Sequence, residues 1–382
     1  MLRTQLRRFS ASHRRHYRPL YSQYRLYATS EPMKPSLQLV GELRKRTEVS
    51  ISKAREALVA TNNDPEKALE WVQNDLAISS AKKAAKVGGR ETKEGLIAVS
   101  LLSPGYGEGI GGVRAAMIEL NCETDFVGRN ELFVNLSSDI AHSTAFLAEE
   151  SSDFKQNLAL LRPFPVDILL DAPLLRKDPS SLSPAIPTSS SVGSAIRDAI
   201  AKVGENITLR RAVSIVLSPP PPTVNAGLRV SSYVHGSTSN PLCGRMGGLV
   251  ASLLESSRLK ELFAQESFRN ELAKLERALA RQVVGFETHS IRSTKKGPDT
   301  TLYEQPFLLY PGEFAGQPVG SVLEAFAEQK GLIDQSVKDQ YQGVAVVEFA
   351  KWSVGEDESS EGLGACLAGE MEAGETKSDE SS

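Results

Sequence analysis

The sequence predicts an α+β protein in which a small three-helix bundle precedes two lobes of antiparallel sheet covered by helices. Three observations predict it. Apolar residues recur at helical spacing through residues 37–78, and at Gly95 the period changes to that of strands. Beyond Gly95, a pair of apolar, branched runs followed by an amphipathic segment occurs twice. The chain has 382 residues, 40 % hydrophobic and 24 % charged, which suffices for two or three domains with real cores.

Taken in order, residues 1–28 come first. Seven arginines (Arg3, Arg7, Arg8, Arg14, Arg15, Arg18 and Arg25) and no acid fall within the first thirty residues. Leu2, Leu6 and Phe9 share one side of a helix among them. That is the composition of a mitochondrial transit peptide, with Arg25-Leu26-Tyr27-Ala28 resembling a matrix processing site. A disordered basic arm that binds RNA is the alternative on composition. A chain trimmed near Ala28 is acidic, which argues against general binding to nucleic acid. No run of eighteen apolar residues occurs, so no membrane association is expected.

Residues 37–78 carry three apolar stripes: Leu39, Val40, Leu43; Ile51, Ala54, Leu58; and Leu69, Val72, Leu76. Asp64 followed by Pro65 is a good start for the third helix. Three short helices in about forty residues fit a ubiquitin-associated type of bundle. A basic, alanine-rich helical linker occupies 79–94, with Lys82, Lys83, Lys86 and Arg90.

The first lobe spans 95–217. Strands at Leu96–Leu102 and Val113–Leu120 flank Gly-rich 104–112 as a hairpin, and a helix from about Asp125 to Glu150 follows, with Phe133, Leu136, Ile140 and Phe146 facing inward. Residues 151–194 are rich in Ser, Pro and Asp, and a loop insertion lies near 176–194. Helix Val192–Lys202 and strand Ile207–Leu217 close the lobe. The second lobe, 228–355, has strands at Arg229–His235 and Arg245–Leu253, helices at Leu259–Val284 and Val319–Lys330, and a last strand at Gly343–Trp352. Residues 356–382 hold nine acids against Lys377 and read as a disordered acidic tail.

Few motifs promise chemistry. Gly107-Glu108-Gly109-Ile110-Gly111-Gly112 satisfies GxGxxG, but a strand follows it where a dinucleotide site needs a helix. No P-loop, metal signature or nucleophile motif occurs, and the three cysteines (Cys122, Cys243, Cys366) are scattered. Neither a cofactor nor a metal is expected, and no covalent catalysis. The informative segment is Asn121-Cys122-Glu123-Thr124-Asp125-Phe126-Val127, where a strand ends and a helix begins with Thr124 as N-cap. On local pattern alone, Phe126 reads as an aromatic tucked into the core.

The segment Glu119-Leu120-Asn121-Cys122-Glu123-Thr124-Asp125-Phe126-Val127 resembles the signature of the elongation factor Ts family. Similar runs follow in family order: Leu43–Thr47, Lys53–Leu58, Ala68–Trp71, Gly95–Val99, Gly204–Ile207 with Arg210-Arg211, Tyr233–Gly236, Gln305–Leu308, Val347–Phe349 and Val354–Glu356. The resemblance implies a guanine-nucleotide exchange factor of the mitochondrial matrix whose partner is mitochondrial elongation factor Tu, both GDP-bound and nucleotide-free. It implies that the Thr124, Asp125, Phe126, Val127 tip enters beside the partner's magnesium and phosphate site. Phe126 is then an exposed wedge, His235 and Gly236 brace a far domain, and the bundle binds through its side near Ile51. This chain departs from the family at Thr47-Glu48-Val49-Ser50, where bulky Glu48 stands in a turn that favours glycine, and in the length of Ser237–Cys243 and of proline-rich 218–223. One competing reading is a ubiquitin or nascent-chain adaptor without exchange activity, which would not need the Asn121–Val127 motif or two α+β lobes. The other is an enzyme of unrecognised type, which would need a set of convergent polar groups that the sequence does not display.

Overall fold

The computed structural model describes residues 34–356, except 48, 110, 151–158, 178–190, 222, 238, 293–299, 313 and 336–340, together with the backbone of 363–365. The basic segment 1–28, Glu48 and most of the 356–382 tail therefore lie outside the described residues.

The bundle consists of α1 (Leu37–Thr47), α2 (Ile51–Ala60) and α3 (Pro65–Val87). Each boundary has a local cause. The Ser50 hydroxyl accepts from the Lys53 N–H at 3.2 Å, and one Asp64 carboxylate oxygen accepts from the Glu66 and Lys67 N–H groups at 3.1 Å. Asn62 and Asn63 take the left-handed conformation that reverses the chain between α2 and α3, which Asn tolerates better than other side-chain-bearing residues. Val40, Leu43, Ala54, Ala57, Leu58, Ala68 and Val72 form the core. Two stripe residues do not join it, since Ile51 and Leu76 are exposed. The expected basic linker is largely the far half of α3, whose Lys83 Nζ donates to the Ala201 carbonyl at 3.2 Å and whose Val87 enters the next core.

Two antiparallel sheets follow. The first is ordered β3 (Arg162–Pro163), β4 (Ile207–Leu217), β2 (Val113–Cys122), β1 (Glu94–Pro104), β6 (Cys243–Gly244). The second is ordered β5 (Ala226–His235), β7 (Met246–Glu255), β8 (Gly343–Ser353), β9 (Leu363–Ala365). The first is covered by α4 (Asp125–Gly128), α5 (Glu131–Leu147), α6 (Val166–Asp171) and α7 (Val192–Val203). The second is covered by α8 (Leu259–Ala264), α9 (Glu266–Gly285) and α10 (Val319–Gln329).

The sheets pack on each other by their inner faces, giving a helix–sheet–sheet–helix sandwich. Alternate residues of one strand therefore enter two different cores. In β1, Leu96 and Ala98 face α5 whereas Ile97 and Val99 meet Leu249, Ala350 and Trp352 of the other sheet. Burial on both faces explains why β1 and β2 read as continuous apolar runs, not as alternation. Each fully buried Leu, Ile or Phe there contributes about 1.5–3 kcal/mol. The closeness of the sheets requires Gly247, where a Cβ would stand 2.6 Å from Ile97 Cγ2.

Several expectations are corrected. The helix expected from Asp125 to Glu150 is two, because Asn130 leaves helical geometry and caps a new start, accepting from the Leu132 N–H at 2.9 Å. Phe146 is 59 % exposed and does not face inward. The helix expected over Leu259–Val284 breaks at Gln265. Part of the acidic tail pairs with β8 as the edge strand β9, and Cys243–Gly244 pairs with β1 as β6 at the edge of the first sheet. The GxGxxG glycines form the β1–β2 turn, with β2 directly after them, and Gly107 is required where Phe263 closes on the backbone. No helix among the described residues is long and apolar enough to cross a membrane.

Candidate functional site

At the end of β2 the chain turns through Glu123 and Thr124 into the one-turn helix α4. Thr124 is extended (φ −126°, ψ 155°), and its hydroxyl accepts a long 3.5 Å bond from the Val127 N–H. Each remaining polar group of Thr124 is also held. Its N–H donates to Glu205 Oε2 at 3.0 Å and its hydroxyl donates to Glu205 Oε1 at 2.7 Å. Its carbonyl accepts from the Gly128 N–H at 3.2 Å and from Cys122 Sγ at 3.2 Å.

The neighbouring strand is held in return. Glu123 Oε1 accepts from the Asn206 N–H at 2.6 Å, and Asn206 Nδ2 donates to the Arg90 carbonyl at 2.8 Å. Arg90 also pairs with Glu123 at 3.3 Å. Cys122 and Ile207 are the last paired residues of β2 and β4, so Glu123 and Thr124 stand opposite Asn206 and Glu205. Carboxylates thus continue the ladder two residue pairs past its last paired strand residues. Burial, with the Glu205 and Glu94 charges adding to it, pushes the Cys122 thiol up to about 12.

This frame presents Phe126. Val127 and Gly128 are buried, Val127 in the core beneath α5, while Phe126 between Thr124 and Val127 is 82 % exposed. The core position that local pattern suggests for Phe126 is therefore wrong. Asp125 lies beside it, pairing with Arg129 across one turn at 2.9 Å with both side chains open to solvent. Other apolar side chains are exposed on this molecule, and single exposed ones are ordinary. Phe126 differs in standing on a turn fixed from both sides.

His235 ends β5, Gly236 follows it, and both are exposed. Gly236 is left-handed (φ 73°), and a Cβ there would press on Arg245 at 3.2 Å. The Arg245 N–H donates to the His235 carbonyl at 2.9 Å, and the Arg245 guanidinium pairs with Glu94. Glu94 is paired with Cys122 across β1 and β2, so this corner lies at the same end of the sandwich as the Phe126 turn. Ile51 belongs to a different unit, at the first turn of α2, and is 49 % exposed. The structure therefore groups Thr124, Asp125, Phe126 and Val127 with His235 and Gly236, and leaves Ile51 on the bundle.

Sequence reasoning did not find the roles of Glu205, Glu123 and Asn206. The run Gly204–Ile207 is visible in the sequence, but its contact with Thr124 depends on a strand pairing some eighty residues away. Among the described residues, no three His, Cys, Asp or Glu side chains are grouped so as to hold a metal ion. The arrangement presents an exposed apolar side chain beside a carboxylate, on a turn held by hydrogen bonds to Glu205.

The family model described as "Elongation factor TS" matches residues 123–295. The chain is similar to "Elongation factor Ts, mitochondrial" of Laccaria bicolor, 51 % identical over 332 residues, covering 87 % of this chain and 95 % of that protein. The protein of the same description from Coprinopsis cinerea is 53 % identical over 334 residues, with the same two coverages. That of Mycosarcoma maydis is 34 % identical over 389 residues, covering 85 % of this chain and 86 % of that protein.

Proposed function

The chain belongs to the elongation factor Ts family of translation elongation factors, and we propose that it promotes GDP release from mitochondrial elongation factor Tu. The observation that carries this reading is Phe126, 82 % exposed on a turn whose neighbours are buried or clamped. Phe126 enters the GTPase beside its magnesium and phosphate site as an apolar wedge, with Asp125 next to the displaced magnesium. His235 and Gly236 brace a further domain of the partner from the same end of the sandwich, and the bundle adds contacts near Ile51. The factor binds the nucleotide-free GTPase more tightly than the GDP form. By linkage it weakens GDP by the same factor, and no bond in the nucleotide is made or broken. GTP then loads onto the vacated site.

The compartment is the mitochondrial matrix, supported by the arginine-rich, acid-free first thirty residues and by the mitochondrial descriptions of the relatives. The test is release of a fluorescent GDP analogue from mitochondrial elongation factor Tu. The wild-type chain accelerates release. Phe126→Ala loses on the order of thirtyfold, the loss of about 2 kcal/mol that truncating a central aromatic costs. Asp125→Ala also slows release. A folded wild-type chain that does not accelerate release would overturn the proposal and leave an adaptor role through the bundle to be tested.

A further inference from the structure

We propose that Glu205, about eighty residues from the tip in sequence, is a positioning residue for exchange: it holds Thr124 so that Phe126 is presented already ordered. This rests on the reading of Phe126 as the wedge.

Glu205 sits in the turn between α7 and β4, directly after Gly204, whose left-handed conformation (φ 80°) ends α7 and lets the chain reverse. Its two carboxylate oxygens take separate donors from one residue, the N–H and the hydroxyl of Thr124. Such charge-assisted bonds are about twice as strong as neutral ones. The second bond has a directional consequence. With its proton committed to Glu205, the Thr124 hydroxyl turns a lone pair towards α4, where the Val127 N–H donates to it. Glu205 thereby sets the N-cap of the helix that carries Phe126. It is attached to β4, itself paired along its length with β2, so the tip is referred to the first sheet and not to its own short turn.

Four residues of helix cannot order themselves, because helix nucleation is unfavourable and α4 is a single turn. Without Glu205 the tip would sample other conformations, and ordering it would fall on the complex. The remaining contacts with the partner, from the corner at His235 and from the bundle, do not pass through Glu205. Losing it should therefore lower the maximal rate of nucleotide release while leaving the concentration for half-maximal effect nearly unchanged.

The experiment measures release of the fluorescent GDP analogue over a range of full-length factor, for wild type, Glu205→Ala, Glu205→Gln, Phe126→Ala and the Glu205→Ala/Phe126→Ala double variant. Amide hydrogen exchange of residues 124–127 is followed in each free protein. Glu205→Ala is expected to lower the maximal rate about tenfold with less than a twofold change in half-saturation. Glu205→Gln, which keeps one acceptor, recovers part of the rate. The double variant is no slower than Phe126→Ala, and exchange at Thr124 and Val127 quickens in Glu205→Ala. A Glu205→Ala maximal rate equal to wild type, with Phe126→Ala impaired, overturns the positioning role and leaves the wedge standing. A change confined to half-saturation overturns it equally. If Phe126→Ala releases GDP as wild type does, the wedge and the positioning role fall together.

Discussion

Arg211 donates from Nε to Glu119 Oε2 at 2.7 Å while its guanidinium lies over the Trp352 ring at 4.4 Å. Glu119 is fully buried in β2, and it also accepts from Arg210 at 3.3 Å, from Asn121 at 3.2 Å and from the Gly355 N–H at 2.9 Å. One carboxylate thus joins the strand that leads to the tip, the neighbouring strand β4 and the segment after β8. Glu119→Ala should destabilise the fold by about 3 kcal/mol. That is the low end of the cost of breaking a buried charge network, because both arginines keep some contact with water. Urea denaturation followed by circular dichroism reads this directly, and an unchanged midpoint would remove Glu119 from the list of structural determinants.

Arg229 and Glu276 form a second buried ion pair, joining β5 to α9 through bonds of 2.5 and 3.0 Å. Arg229 also reaches the Tyr106 carbonyl at 2.7 Å in the β1–β2 turn. Removing either partner alone should cost about 3–5 kcal/mol, since it strands the other charge in the core. An Arg229→Met/Glu276→Leu double variant should recover most of that loss. Thermal melting of the three variants gives the coupling, and additive losses would contradict the pairing.

Phe126 and Val127 should separate function from stability. Phe126→Ala removes an exposed side chain and should leave the melting midpoint within about 1 °C. Val127→Ala removes two buried methyl carbons, with an expected cost of about 2 kcal/mol. Differential scanning calorimetry of both variants distinguishes them, and comparable losses would mean that Phe126 packs against the protein.

The buried thiols carry a pH dependence. Burial pushes both Cys122 and Cys243 up to about 12 from an ordinary 9.0. At pH 8 their thiolate fraction is then about one in ten thousand, so both should resist iodoacetamide until the chain unfolds. Peptide mass spectrometry at those two sites provides the check. The sign of the stability effect follows from the raised values. Between 9.0 and about 12 the unfolded chain releases these protons and the folded chain retains them, so stability falls as pH rises through that range. Replacing both cysteines by Ala should flatten the alkaline limb of the stability profile, and an unaltered limb would refute the assignment.

Gly247→Ala tests the contact between the two sheets. The added Cβ meets Ile97 Cγ2 at 2.6 Å, and overpacking of this kind costs about 1–3 kcal/mol. Combined with Ile97→Ala, the loss should be smaller than the sum of the two single losses. Additive losses in denaturant titrations would show that the sheets part without strain.

Local chemistry was enough to determine the main strands and helix starts, but not the helix breaks at Asn130 and Gln265 or the short strands β3, β6 and β9. Asp64-Pro65 starts α3, the branched runs make β1, β2, β4 and β8, and Thr124 caps the helix after β2, because each depends on residues within a turn or two. The segment Glu119–Val127 also marks the family from the sequence by itself. Tertiary structure decided where local pattern misjudged which side chains face water and which face the core. Helical periodicity puts Phe146 inward and local pattern buries Phe126, yet both are exposed, because exposure depends on what packs above each helix. The same holds for the face-to-face sheets, which turn β1 from one amphipathic strand into a strand with two cores. It holds most strongly for Glu205 and Thr124, whose contact exists because β4 pairs with β2. Periodicity reports only local geometry, whereas a bond between residues eighty positions apart is made by the long-range strand pairing that brings them together.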